Sequence, residues 1–504
     1  MQVVFRMRGR DTWVLLATIV GSSLVFIDGT VVALALPAIQ HAFRTSAGAV
    51  AWIVELYTLV LGSLMLLGGS LADRYGRKRV FVTGVALFAA GSVGCAFAWS
   101  IESLLAARAF QGFGGMLMAP ASLAILGAHF SGDARGRAIG TWSAFGALTA
   151  AAGPMLGGLL IDAYGWRSVF WINVPLAAAV IVATLRHVAE SRDDDAPRHI
   201  DAGGAALVTL GLGAITYAMI SASAVGWTIA VNGTLCGGAA LLAAFVLWER
   251  RAQSPLVPGA IFSSRTFGAI NLATLLLYGA LSGLFYEVPF AMIQAHGYTA
   301  LQTALATLPM AISLVLLARV GTALAQRFGT RSVLAAGPWI VACGFALLGL
   351  LSSNTVYWFG FFPGILVVGI GMGFTVAPLT TAVVDAANPH HVGIASGINN
   401  AVSRVAGLLA IAALTLVLAG AYARAMNRSL DAMHAGAAQR RAAAAQRDRL
   451  GGARFTDPGL QRASREAFDR GFGDVAFLCA LLAALAGCVD ALAIDDAALA
   501  RRSS

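Results

Sequence analysis

The chain has 504 residues, of which 58% are hydrophobic and only 12% charged, with a formal net charge of +10. A soluble domain carries roughly a quarter charged residues, so water is not the main solvent of this protein. The basic excess points to loops at a membrane face rather than to nucleic acid. The five cysteines, Cys95, Cys236, Cys343, Cys479 and Cys488, lie in apolar runs without paired spacing, which suggests packing residues and neither a disulfide framework nor a zinc site.

Arg6, Arg8 and Arg10 precede an apolar stretch from Trp13 to about Ile39. That stretch exceeds the roughly 7–15-residue core of a signal peptide and is expected to be a retained, tilted membrane helix. Apolar runs of about twenty residues recur to the end of the chain and predict about fourteen membrane helices. Their cores begin near Trp13, Val50, Val80, Ser103, Ala138, Val169, Ala202, Trp227, Phe267, Leu301, Val333, Tyr357, Gly393 and Gly473. Basic residues alternate from loop to loop: Arg74, Arg77, Lys78, Arg79, Arg135, Arg137, Arg186, Arg192, Arg198, Arg250, Arg251, Arg265, Arg327 and Arg331 share one side, with chiefly Arg44 and Arg167 on the other. This asymmetry predicts both termini in the cytoplasm. One segment disagrees, since residues 422–472 would form a long outer loop yet carry ten arginines against five acids. Long loops largely escape the charge rule, and its stretch 435–449 reads as an exposed polar helix.

Within the first span, Phe26-Ile27-Asp28-Gly29-Thr30 places a carboxylate about 22 Å from the inner end, where charge is costly and usually functional. Glu55 is a second acid, near the outer end of span two, for which an interfacial, snorkelling role is the alternative to function. After span two, Gly69-Ser-Leu-Ala-Asp73-Arg74-Tyr-Gly76-Arg77-Lys78-Arg79 combines a helix-end acid, a glycine turn and a cation cluster, a composition suited to latching neighbouring helices. Its core recurs after span ten as Leu324-Ala325-Gln326-Arg327-Phe328-Gly329, so the chain is read as two related halves. Arg108, in the outer half of span four, lies at a depth comparable with Asp28 and is its expected partner. A static buried ion pair is the rival reading. Span five carries Gly146 and Gly153-Pro154-Met155-Leu156-Gly157-Gly158, small residues that admit a neighbouring helix beside a proline that eases bending.

These stretches, in residue type and in place, resemble the major facilitator superfamily; span five resembles the signature of its antiporters, and span one that of its fourteen-span drug:proton antiporters. The chain departs from that pattern at Ala33, where the family often has Asn. The resemblance implies an all-α integral membrane protein of the major facilitator fold: a six-helix bundle over 1–195, an inserted helix pair over 196–252, and a second bundle over 253–504 with the outer loop 421–472. It further implies proton coupling through Asp28 and Arg108, with Glu55 joining them. A cytoplasmic gate is expected from Gly69, Asp73, Arg74, Gly76, Arg77 and Arg327, and an antiporter helix from Gly146, Gly153, Pro154, Gly157 and Gly158. A substrate cavity is expected from Glu55, Trp142, Phe145, Tyr278, Glu287, Phe374, Asn399, Asn400 and Arg404, although a backbone-bonded structural role for Arg404 is an equal alternative.

The expected function is proton-coupled export of small amphipathic or cationic compounds across a bacterial inner membrane, by a monomer with both termini cytoplasmic. No P-loop is visible, so an ion gradient replaces nucleotide as the energy source, and no cofactor, metal or nucleic acid is expected. Export of one endogenous metabolite or antibiotic is the alternative. A membrane enzyme or sensor is disfavoured, because no constellation with catalytic spacing is present.

Overall fold

The computed structural model describes residues 9–193, 201–252, 255–257, 264–386 and 392–495; Arg6, Arg8 and Arg198 lie outside them. The regular elements are helices: α1 (Gly9–Phe43), α2 (Ala47–Tyr75), α3 (Arg77–Ala96), α4 (Ile101–His129), α5 (Gly132–Tyr164), the one-turn α6 (Ser168–Trp171) leading into α7 (Asn173–His187), α8 (Ala202–Val225), α9 (Ile229–Glu249) and α10 (Arg265–Pro289). After α10 a π-helical stretch, Phe290–Ala295, continues the chain into α11 (Ala300–Phe328), α12 (Thr330–Leu351), α13 (Phe362–Asp385), α14 (Val392–Ala432), α15 (Ala437–Ala445) and α16 (Pro458–Ala493). Thirteen spans among the described residues are long and apolar enough to cross a membrane. A fourteenth helix, α5, has the length, its 33 residues extending about 50 Å.

Two boundaries differ from expectation for identifiable reasons. Span twelve starts at Phe362 rather than near Tyr357, because Tyr357 turns aside to donate its hydroxyl to the Ala306 carbonyl at 2.9 Å, and Pro363 then sits in the first helical turn. The second difference corrects the long loop over 421–472, most of which is helix. With 41 residues, α14 is about 60 Å long, and α16 begins at Pro458, capped by the Asp457 carboxylate on the amides of Gly459 and Leu460. Tyr422 and Ser464 share a 2.8 Å hydrogen bond in this region, both buried. Only 433–457 connects the two helices, and within it α15 is a largely exposed helix as expected.

The chain divides into two compact units. The first comprises Met1–Phe43, Trp52–Gly213 and Ala240–Leu256; the second comprises Arg44–Ala51, Ala214–Ala239 and Val257–Ser504, so the residues of α8 and α9 are shared between them. In the first unit a core formed by Val14, Leu24, Leu61, Phe81, Phe88, Met118 and Val180 joins α1, α2, α3, α4 and α7. In the second, Phe267, Ile270, Leu334, Leu379 and Ile398 join α10, α12, α13 and α14. Large apolar side chains also face outward, among them Leu316 at 68% exposure and Leu492 at 78%, as expected of helices solvated by lipid.

Candidate functional site

The echoed loops turn in the same way. Gly76, between α2 and α3, has φ +108°, and Gly329, between α11 and α12, has φ +87°; each is the residue immediately before the next helix. A side chain is strained in that conformation, which explains glycine at both places. At Gly76 the space is also filled, since a Cβ would lie 2.8 Å from the Glu190 carboxyl group. That carboxylate accepts the amides of Lys78 and Arg79 at 2.9 and 3.2 Å, satisfying the open N-terminus of α3. The Arg77 amide donates to the Ser191 carbonyl at 2.8 Å, and the Asp193 amide to that of Asp73 at 2.9 Å.

The turn is therefore latched to the chain following α7 by Glu190 and backbone bonds, whereas Asp73 pairs with Arg77 in its own turn at 2.8 Å. Arg74 and Arg327 lie over the rings of the next residues, Tyr75 and Phe328, both at 5.3 Å. Gly69 is in ordinary contact with Pro120, while its neighbour Gly68 meets the Met116 backbone of α4 and has no room for a side chain. Replacing Glu190 by Ala is expected to cost about 0.5–2 kcal/mol, the worth of a helix cap, seen as a lower melting temperature of the purified protein.

Deeper in the first unit, polar side chains of α1, α3, α4 and α7 converge. Asp28 and Arg108 are each 1% exposed. Arg108 Nη1 donates to Asp28 Oδ2 at 2.6 Å and to Gln111 Oε1 at 2.6 Å, and its Nε donates to the Ile53 carbonyl at 2.9 Å. Asp28 Oδ1 accepts from Gln111 Nε2 at 2.9 Å and from Asn173 Nδ2 at 3.3 Å. The Ser92 hydroxyl accepts from those same two amides at 2.8 and 3.2 Å. The guanidinium lies 4.2 Å from the centre of the Tyr57 ring, a cation–π contact that helps to solvate it. Each of these three bonds reaches Asp28 from an N–H donor.

Arg108 and Gln111 are three residues apart on α4 and so share a face. Asn173 is the first residue of α7. Close approach of α3 and α4 draws Ser92 into the group: a Cβ on Gly91 would lie 2.7 Å from Gln111 Cα. Breaking such a pair on one side leaves an uncompensated charge in a dry interior, worth about 3–5 kcal/mol. The pair and its donors join α1, α3, α4 and α7, and α2 adds the Ile53 carbonyl and the Tyr57 ring.

Helix α5 bears on the same stretch of α1. A Cβ on Gly153 would lie 2.6 Å from Thr30 Oγ1, one on Gly157 2.5 Å from Val31 Cγ1, and one on Gly146 3.4 Å from Phe26. Pro154 lies inside this helix, and Gly158 is buried. Ser23 and Thr149 share a 3.2 Å hydrogen bond across the two helices. Trp142 donates its indole N–H to Ser22 Oγ at 3.0 Å, and Ser22 in turn bonds Ser122 of α4 at 2.6 Å. Phe145 is exposed. Glu55 is wholly buried, and neither carboxyl oxygen has a hydrogen-bond partner among the described residues. The snorkelling reading of Glu55 is thereby corrected, because a buried head group does not reach the interface.

In the second unit the expected cavity residues make local contacts. Tyr278 packs on the apolar core. Phe374 supports the close crossing of α11 and α13, since a Cβ on Gly321 would lie 3.0 Å from its Cα. Asn399 donates to Asn271 Oδ1 at 3.2 Å and Thr274 Oγ1 at 2.9 Å, tying α14 to α10, whereas the exposed Asn400 bonds the Ser396 carbonyl of its own helix. Glu287 is buried and accepts the Thr415 hydroxyl at 3.1 Å, and Arg404 is half-buried. Among the described residues no cluster of His, Cys, Asp and Glu is placed to hold a metal ion.

Comparison with known proteins gives concordant results. The family model described as Major Facilitator Superfamily matches residues 18–411. The chain is 33% identical to the multidrug resistance protein Stp of Mycobacterium tuberculosis, covering 80% of this chain and 75% of that one. It is 32% identical to the tetracenomycin C resistance and export protein of Streptomyces glaucescens, covering 82% and 77%, and 35% identical to the cephamycin export protein CmcT of Amycolatopsis lactamdurans, covering 78% and 82%. Its fold is that of a bacterial homolog of the human lysosomal transporter Spinster in an inward-facing, unoccupied conformation, with a TM-score of 0.69 at 16% identity over 96% of this chain and 98% of that one.

Proposed function

The chain belongs to the major facilitator superfamily, and on that premise we propose that it is a drug:proton antiporter that exports small amphipathic or cationic molecules by alternating access. It is a multi-pass membrane transporter and not an enzyme. The observation that carries the coupling is the buried Asp28–Arg108 pair with its Gln111 and Asn173 donors. Protonating Asp28 would remove the charge that Arg108 neutralises, so the guanidinium would have to turn to other acceptors. Because α5 packs on α1 through Gly153 and Gly157, displacement of α1 about Asp28 moves α5 with it.

Protons enter from outside to load Asp28, and its deprotonation toward the cytoplasm accompanies return to the substrate-accepting state. Glu55, buried and with no hydrogen-bond partner among the described residues, is a second acid available to the cycle or to a cationic substrate. The energy source is the proton gradient, with no cofactor. The protein resides in a bacterial inner membrane with both termini inside, in keeping with its loop arginines.

In inside-out vesicles, an imposed pH gradient is expected to drive accumulation of a lipophilic cationic dye, and an ionophore that collapses the gradient is expected to abolish it. Gradient-independent accumulation would defeat the coupling. A second reading, dedicated export of one antibiotic, draws support from relatives named for tetracenomycin C and cephamycin. Resistance confined to one compound class in an overexpressing strain would favour it, and broad resistance would favour multidrug efflux.

A further inference from the structure

Where α12, α14 and α16 meet in the second unit, an open cleft of about 490 Å³ is bounded by charged side chains of both signs. Arg424 and Arg428 stand one turn apart on α14, and Glu466, Arg470 and Asp474 repeat at the same four-residue spacing on α16, so each set shares a helix face. Arg470 has Glu466 at 3.7 Å. Arg424, Arg428 and Asp474 are exposed and bond to no side chain among the described residues. The floor is apolar and closely packed: a Cβ on Gly473 would lie 3.1 Å from the Gly349 carbonyl, and Phe477, 44% exposed, forms the rim.

The depth of this cleft is marked by the chain itself. Ser352 and Ser353, at the end of α12, line it, and Trp358 and Phe359 follow with 63% and 66% of their surface exposed. Exposed aromatic side chains of this kind gather at the boundary between hydrocarbon and water. A ligand here must therefore carry charges at one end and hydrocarbon at the other, and the molecule at greatest local concentration with that form is a phospholipid.

We propose that the cleft binds a phosphatidylethanolamine-type lipid. The planar guanidinium groups of Arg424 and Arg428 hold the phosphate, and the carboxylates of Asp474 and Glu466 accept hydrogen bonds from the ammonium group. An acyl chain lies against Phe477. An anionic headgroup with no amine would place its charge beside Glu466 and Asp474, and a choline headgroup has no N–H to give them. The charge pattern thus selects the primary amine.

The test uses full-length purified protein and native mass spectrometry, titrating phosphatidylethanolamine, phosphatidylglycerol, phosphatidylcholine and free phosphoethanolamine. Phosphatidylethanolamine is expected to bind best of the three lipids. Substituting both Arg424→Ala and Arg428→Ala is expected to weaken it roughly thirtyfold, from the usual contribution of basic residues at a lipid surface. Asp474→Asn is expected to shift preference toward phosphatidylglycerol, and Arg462→Ala with Arg465→Ala, exposed residues of α16 that do not line the cleft, to leave binding unchanged. Equal binding of the three lipids, or unchanged affinity in the double alanine variant, would overturn the proposal. Free phosphoethanolamine binding as tightly as the lipid would overturn the lipid as the source of the headgroup.

Discussion

Asp28→Asn is expected to lose pH-gradient-driven efflux altogether and also to destabilise the protein by about 3–5 kcal/mol, because Arg108 is left charged and buried without its counter-ion. The loss of stability follows from the dry setting of the pair, both partners being 1% exposed. A transport defect in this variant alone is consequently ambiguous between a lost proton site and a damaged fold. Arg108→Gln in the same chain resolves the ambiguity. The double variant carries no buried charge at this site, so its melting temperature is expected to return most of the way to the wild-type value while efflux remains absent. Recovery of efflux in the double variant would make the pair a structural tie and place the coupling acid elsewhere.

Gly157→Val is the second substitution with a large expected effect. A single Cβ at this position already comes within 2.5 Å of Val31, so the branched side chain cannot be accommodated unless α5 moves away from α1. Transport is expected to fall to background, with a stability loss of at least about 1–3 kcal/mol from overpacking. Gly146→Ala supplies the graded control: its Cβ would stand 3.4 Å from the edge of the Phe26 ring, an ordinary van der Waals contact, and near-normal efflux is expected. Uptake assays in vesicles with matched protein levels, beside melting curves, measure both effects. Normal efflux by Gly157→Val would show that the α1–α5 contact does not take part in the cycle.

Asp28 and Arg108 were legible in the sequence because each is a charge in an otherwise apolar run, and counting residues from the span ends put them at one depth. The residues that complete the network carry weaker marks. Gln111 follows Arg108 at helical spacing, a usable signal, and Asn173 interrupts an apolar run beside Pro175. Ser92 carries no such mark, since serine is common in membrane helices, and only the close crossing at Gly91 brings it into the group.

Glu190 was hidden for a different reason. It is one of several polar residues after α7, and its role depends on the turn at Gly76 being folded beside it. Burial of Glu55 is likewise a tertiary property: position along α2 suggests the interface, but neighbouring helices exclude solvent from it. The segment over 421–472 misleads because hydropathy marks where lipid ends and not where a helix ends. Flanking polar turns remain helical when two helices stay paired past their apolar runs, as α14 and α16 do through Tyr422 and Ser464.

Exchange of the Asp28 proton in step with substrate can be followed as proton release from detergent-purified protein while a lipophilic cation is added in weak buffer. Wild type is predicted to release protons in proportion to the cation bound, and the Asp28→Asn, Arg108→Gln double variant to bind the cation while releasing no more than Glu55 alone supplies. Full proton release by that variant would place the exchanged proton on a group other than Asp28.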